Sequence, residues 1–236
     1  DCYHAPQNDA GCCTVDSDCN DEDPCTIDFC GANGQCSTSP GPPIPGAQEI
    51  CGDGIDNDCN PNTICYEIQQ GNTAIPIDPI ESNEGVVAFY GYQAPDQYSA
   101  NTGFELSNRA VVLLHKDPGG NVSLLYILDK ADDNSGGNYT LAYSGAQGFQ
   151  VLVYDDTLNA GGDEYIVDEV LGTGTMQWGW SPCCGDGMAL GYLSGGFCIN
   201  FVVVDSQGIT GTTVWADDTT PVQLDGSGVF SLCGLQ

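Results

Sequence analysis

From about residue 84 onward, short runs of β-branched and aromatic residues recur roughly every 8–14 positions, separated by Gly, Asp and Asn. Residues 86–92, 110–116, 122–130, 139–144, 149–156, 164–170, 175–180, 197–205, 211–217 and 228–233 read as strands on this pattern. The sequence KDPGGN at 116–121 pre-sets a turn, so the runs either side of it form a hairpin. No segment sustains apolar residues at i, i+3, i+4 and i+7 with caps, so helices are not expected. The predicted fold is all-β, a β-sandwich or jelly roll over residues 84–236.

The first 70 residues have a different texture, without apolar runs long enough to build a core. Ten of the 14 cysteines fall at positions 2–65, against four at 183, 184, 198 and 233. Without CxxC pairs, and with 2 histidines, they read as disulfides of an oxidising compartment rather than zinc ligands. Residues 1–70 are therefore expected to be a small, loop-dominated module held by cross-links. A Pro-rich spacer at 37–48 is expected within it, and a linker at 71–83 after it. Adjacent cysteines usually take different partners, so Cys183 and Cys184 are expected to bridge to Cys198 and Cys233. The chain opens at Asp1 with no charged-then-apolar leader, and the expectation is an exported protein whose signal has been removed.

Charge narrows the function classes. With Lys+Arg 3 against Asp+Glu 33, the formal net charge is -30. Nucleic-acid binding and adhesion to anionic lipid both need clustered bases, and both are excluded. No run has the roughly 18 apolar residues that mark a membrane-span candidate. Aspartates concentrated in Gly/Asn-rich loops suit oxygen-ligand cation sites, and Ca2+ is the expected cofactor.

Two echoes of D-x-D-C-N, at 16–20 and 56–60, offer oxygens at i, i+2 and i+4. They nominate Asp16, Asp18 and Asn20, and Asp56, Asp58 and Asn60, as calcium ligands, with Asx turns between cysteines as the plain alternative. The loop YDDTLNAGGDEYIVDE at 154–169 gathers Asp155, Asp156, Asp163 and Asp168 around a Gly-Gly turn. Their mutual repulsion predicts a cation there, unless the loop is simply a solvated hairpin end. The segment 19–36, CNDEDPCTIDFCGANGQC, resembles the CTDC cysteine-rich repeat of Dictyostelium extracellular-matrix proteins. CGDGIDNDCN at 51–60 resembles the bacterial MopE-type metal-binding motif, with Asn60 and Pro61 in place of its final Asp-Gly. That second resemblance adds Asp53 to Asp56 and Asp58 as metal ligands, and together the two imply an extracellular setting.

Trp178 and Trp180 share one face of their strand, either in the core or as an exposed contact for a sugar or a subunit. Asn121 and Asn138 head N-x-S/T sequons and are candidate glycosylation sites. His4 and His115 are the only histidines, and no nucleophile motif or phosphate loop is present. A carboxylate pair for glycoside hydrolysis is the one catalytic chemistry left open. The expectation is a non-enzymatic structural glycoprotein of a matrix, cell surface or filament. Its partners would be copies of itself, joined head to tail, or other matrix components. The alternative is a calcium-dependent carbohydrate-binding or adhesion module, with glycans as partners.

Overall fold

A computed structural model of the chain describes residues 12–45, 47, 49, 56–60, 63–92, 99–156 and 163–235. It divides into two compact units, 1–63 and 64–236.

In the small unit, β1 (Thr26–Cys30) and β2 (Cys36–Pro40) form an antiparallel hairpin in which Cys30 faces Cys36. Three bridges close around it, Cys13–Cys30, Cys19–Cys36 and Cys25–Cys59. The buried residues described here are Cys13, Cys19 and Cys59, so sulfur takes the place of an apolar core. The first residues of the expected spacer, 37–40, belong to β2.

The large unit contains β3 (Cys65–Gln70), β4 (Thr73–Ile77), β5 (Ile80–Glu81), α1 (Val86–Tyr90), β6 (Ala110–Lys116), β7 (Val122–Leu128), β8 (Gly137–Ser144) and β9 (Gln150–Tyr154). Then follow β10 (Glu164–Asp168), β11 (Thr173–Trp180), β12 (Asp186–Leu193), β13 (Phe197–Gln207), β14 (Thr212–Trp215), β15 (Pro221–Gln223) and β16 (Val229–Leu235). One sheet runs β10-β11-β8-β13-β16-β3-β4, and the other runs β15-β14-β6-β7-β12-β9 with β5 added beside β6. All pairings are antiparallel except β14 and β5 on β6. The two sheets enclose one core, in which Tyr126, Tyr139, Tyr143, Trp178, Phe201 and Phe230 form an aromatic belt.

Residue pattern explains the layers. β8 alternates, with Tyr139, Leu141 and Tyr143 inward and polar or small residues outward, as suits a strand with one solvated face. β6 and β7 are buried almost throughout, because α1 and the segment around Ala100–Leu106 cover their second face. That covering makes residues 86–90 of the expected 86–92 strand a helix. Gly91 closes it in the left-handed conformation, at φ 73, and Val86 and Tyr90, one turn apart, both point into the sheet.

The expected linker at 71–83 is not one. Gly71 turns the chain at φ 58 and returns it as β4, and Pro76 is tolerated because β4 is a sheet edge. The sandwich therefore starts at residue 64 rather than 84. β12, overlooked because glycines interrupt its apolar positions, lies between β7 and β9. The expected cysteine pairing is also corrected. Cys198 and Cys233 are register partners on β13 and β16, with Cα atoms 4.1 Å apart, and they bond to each other. Cys183 and Cys184 bond to one another in the β11–β12 turn.

Two outcomes are expected. Leu141→Ala, at a fully buried core position, costs about 2–5 kcal/mol in denaturant unfolding. Excess reductant abolishes amide-exchange protection in residues 12–45 while β6 and β7 stay protected, since only the small unit relies on sulfur for its core; joint loss of protection would contradict this.

Candidate metal centre

Asp155 and Asp156 follow β9, Asp163 precedes β10, and Asp186 opens β12. β12 pairs with β9, and the Asp155 N–H donates to the Gly187 carbonyl, so the ends of these strands lie together. Asp163 reaches the same point from the other sheet, accepting the Gly179 N–H of β11 at 3.0 Å. Asp156, Asp163 and Asp186 each bring one carboxylate oxygen to within 4.8 Å of the others. Two oxygens on one calcium ion, each at its normal 2.3–2.6 Å, lie at most about 5 Å apart. The spacing fits a hard cation.

Three tyrosines orient the acids. Tyr90 of α1 donates to Asp155, Tyr92 donates to Asp156 at 2.7 Å, and Tyr165 of β10 donates to Asp163 at 2.7 Å. Two oxygens are left without a partner, Oδ1 of Asp155 and Oδ2 of Asp186. These residues are 1% and 2% exposed. Asp129, equally buried at 1%, provides the contrast. It accepts from the Asn108 N–H at 2.7 Å, the Ser135 hydroxyl at 2.5 Å and the Trp180 indole at 2.8 Å. A buried carboxylate in this fold can thus be fully satisfied by protein donors, and Asp186 is not. An orphaned buried acceptor costs roughly 1–3 kcal/mol, more when charged, unless a ligand answers it.

Burial raises the Asp186 carboxyl to about 9, with the charges of Asp163, Asp155 and Asp156 adding to the effect. Burial also raises Asp155 well above the usual carboxylate range; its Tyr90 bond opposes this, while Asp156 and Asp163 reinforce it. Asp163 is raised by burial against the Tyr165 and Gly179 bonds. A divalent cation would reverse this balance by rewarding ionisation. The donor set is all oxygen, without His or free thiol, which suits calcium or another hard cation rather than zinc or copper.

Of the residues nominated from the sequence, Asp155, Asp156 and Asp163 meet here. Asp168 does not; it is exposed and accepts the N–H groups of Val170 and Leu171 in the β10–β11 turn. Asp16, Asp18 and Asn20 each accept from backbone N–H groups. Asp18 caps Thr14 and Val15, Asp16 accepts from Cys30, and Asn20 accepts from Glu22. Asp56 and Asp58 do meet, each bringing a carboxylate oxygen to within 4.8 Å of one on Glu49; Asp58 also accepts from the Asn60 N–H and the Thr63 hydroxyl, and Glu49 from the Asn57 N–H. The first loop looks inward to backbone N–H groups, as Asx turns do, while the second is a further group of oxygens spaced for a cation. Asp53 and His4 lie outside the described residues. Asp186 was missed because one aspartate in CCGDG carries no spacing signal; its place beside β9 comes from sheet pairing.

Trp178 and Trp180 point the same way, as their spacing implies, and both are buried at 0% and 7% exposure. Trp178 stacks on Tyr126, so the pair offers no surface platform. His115 is also buried, bonded to the Ser82 hydroxyl at 2.7 Å and stacked on Phe89. Asn121 and Asn138 are both exposed. Comparison with family models, curated proteins and solved structures gives no match to this chain.

A pH experiment checks the electrostatics. The folded state favours the protonated forms of Asp155, Asp163 and Asp186, whose ordinary value is 3.8. Their contribution to stability is complete below that value and is lost as pH rises toward 9. Without divalent cations, melting temperature is expected to fall between about pH 5 and 9, and Asp186→Asn to flatten the slope. A slope that is the same in the variant would refute the assignment.

Proposed function

We propose that this chain is a non-enzymatic structural glycoprotein of the extracellular space, whose sandwich is clamped by Ca2+ at Asp156, Asp163 and Asp186, with Asp155 behind them. The observation that carries the reading is the pair of buried, unpartnered carboxylate oxygens on Asp155 and Asp186 of one sheet, beside the Asp163 carboxylate of the other. β9 and β10 are the edge strands at one side of the sandwich. A cation bridging Asp156 and Asp186 to Asp163 would tie the two sheets together there and offset the repulsion of clustered carboxylates.

The remaining features agree with a load-carrying role outside the cell. Among the described residues no cysteine is free, and no helix is long and apolar enough to cross a membrane. Exposed Asn121 and Asn138 suit glycan attachment. For self-assembly the support is a cross-strand row, Ile166–Thr175–Ala142–Val202–Val229, which runs uncharged over five strands of a chain with net charge -30. Ile166, Val202 and Val229 in it are exposed. Copies can meet along this row without opposing carboxylates, and Val202→Glu should then block any filament seen by electron microscopy.

A second reading, a calcium-dependent glycan binder, is favoured by one observation. A cleft of about 810 Å³ is lined by Val87, Tyr92, Leu152, Tyr154, Asp156 and Tyr165, next to the carboxylates. Tyr154, 40% exposed, replaces the buried tryptophans as a stacking surface. Chelator-sensitive glycan-array binding lost in Tyr154→Ala would support this reading, and absence of binding would leave the structural one.

The clamp is tested by thermal melting across calcium and chelator. At a hundredfold excess over Kd, binding to the native state adds about 2.7 kcal/mol, or roughly 5–10 °C for a domain of this size. Asp186→Asn and Asp163→Asn are expected to lose most of that gain, and Asp168→Asn to keep it. Melting curves that ignore calcium in the unsubstituted protein would overturn the proposal.

A further inference from the structure

We propose that the Cys183–Cys184 disulfide is a thiol-exchange site that sets the cation affinity of the carboxylate centre beside it; the inference rests on the calcium reading above. The other described bridges join residues 17 to 35 apart and restrict the unfolded chain accordingly. A bridge between neighbours closes almost no loop, so its effect is confined to the native turn that contains it.

That turn positions Asp186. The Cys184 N–H donates to the Ser181 carbonyl at 2.9 Å, and the Asp132 N–H donates to the Cys183 carbonyl at 3.1 Å. The Gly185 N–H donates to the Ser99 hydroxyl at 2.6 Å. A Cβ at Gly185 would lie 2.6 Å from the Leu128 carbonyl oxygen, so the backbone has no slack against β7. The next residue is Asp186, paired in register with Leu128 and carrying the orphaned carboxylate oxygen. The disulfide thus restrains the backbone immediately before a proposed ligand. Groups that orient metal ligands typically change affinity 10–100-fold when removed.

Exposure makes the bridge reachable. Among the described bridges it alone has no buried cysteine: Cys183 is exposed and Cys184 half-buried, whereas Cys13, Cys19, Cys59 and Cys233 each bury one side of theirs. A small-molecule thiol attacks one sulfur, breaking the S–S bond, forming a mixed disulfide and leaving the other cysteine as a thiol. A second thiol molecule then attacks the mixed disulfide and frees the remaining cysteine. Two thiols become one external disulfide, and their two electrons and two protons appear on Cys183 and Cys184. The freed turn no longer holds Asp186 in place, and affinity falls.

The test uses the full chain in glutathione buffers of decreasing potential. Thiols are located by alkylation and peptide mass, and calcium affinity is read by competition with a chelating dye. Thiols are expected first at Cys183 and Cys184, with Kd rising about 10–100-fold and recovering on reoxidation. A Cys183→Ser, Cys184→Ser variant should show the weaker Kd without added thiol, no response to glutathione, and an unchanged calcium-free melting temperature. Reduction of the pair at constant Kd, or another bridge opening first, would overturn the inference while leaving the calcium clamp standing. An oxidised protein that binds no calcium would overturn both.

Discussion

Ionised carboxylates cannot be crowded into a dry site without a counter-charge, and at one edge of this sandwich four of them converge. Three have no means of remaining ionised at low cost, since burial and mutual repulsion push Asp155, Asp163 and Asp186 upward together. The three tyrosine hydroxyls offset part of this and orient the acids, yet two buried oxygens are still unanswered. The same fold satisfies Asp129 completely. The contrast between Asp129 and Asp186 is the physical basis of the proposed calcium clamp.

The two units answer the entropy of folding by different means. In the large unit, β6 and β7 are covered on one face by the opposite sheet and on the other by α1 and its following segment. Burial of apolar surface on that scale is sufficient for a domain of this length. Among its described residues the small unit has no such surface, and the buried ones are half-cystines. Restricting the unfolded chain replaces what hydrophobic burial cannot supply there. The proposed calcium clamp would supply a third device, a connection between sheets at β9 and β10, which have no strand beyond them among the described residues.

Periodicity was legible wherever one physical demand acted alone. The alternation in β8 and the apolar runs of β6 and β7 appear directly in the sequence, and so does the KDPGGN turn between them. It misled where tertiary packing outweighed local preference. Residues 86–90 have the composition of a strand, but the open face of β6 and β7 selects a helix that delivers Val86 and Tyr90 to it. The hairpin of β3 and β4 was hidden by Pro76, which an edge strand accepts. The two D-x-D-C-N echoes diverge: Asp18 and Asn20 of the first accept from nearby backbone N–H groups, whereas Asp56 and Asp58 of the second gather with Glu49 at a spacing that could hold a metal ion.

Sequence by itself determined the class of the protein: an all-β sandwich after a small cross-linked module. It also determined that Asp155, Asp156 and Asp163 would be close, since one short loop carries them. Only the tertiary structure decided that Asp186 joins them, that Asp168 does not, and that Cys183 closes on Cys184. Those outcomes depend on which strands become neighbours, and strand pairing joins residues far apart in the chain through hydrogen bonds and packing that no local pattern encodes.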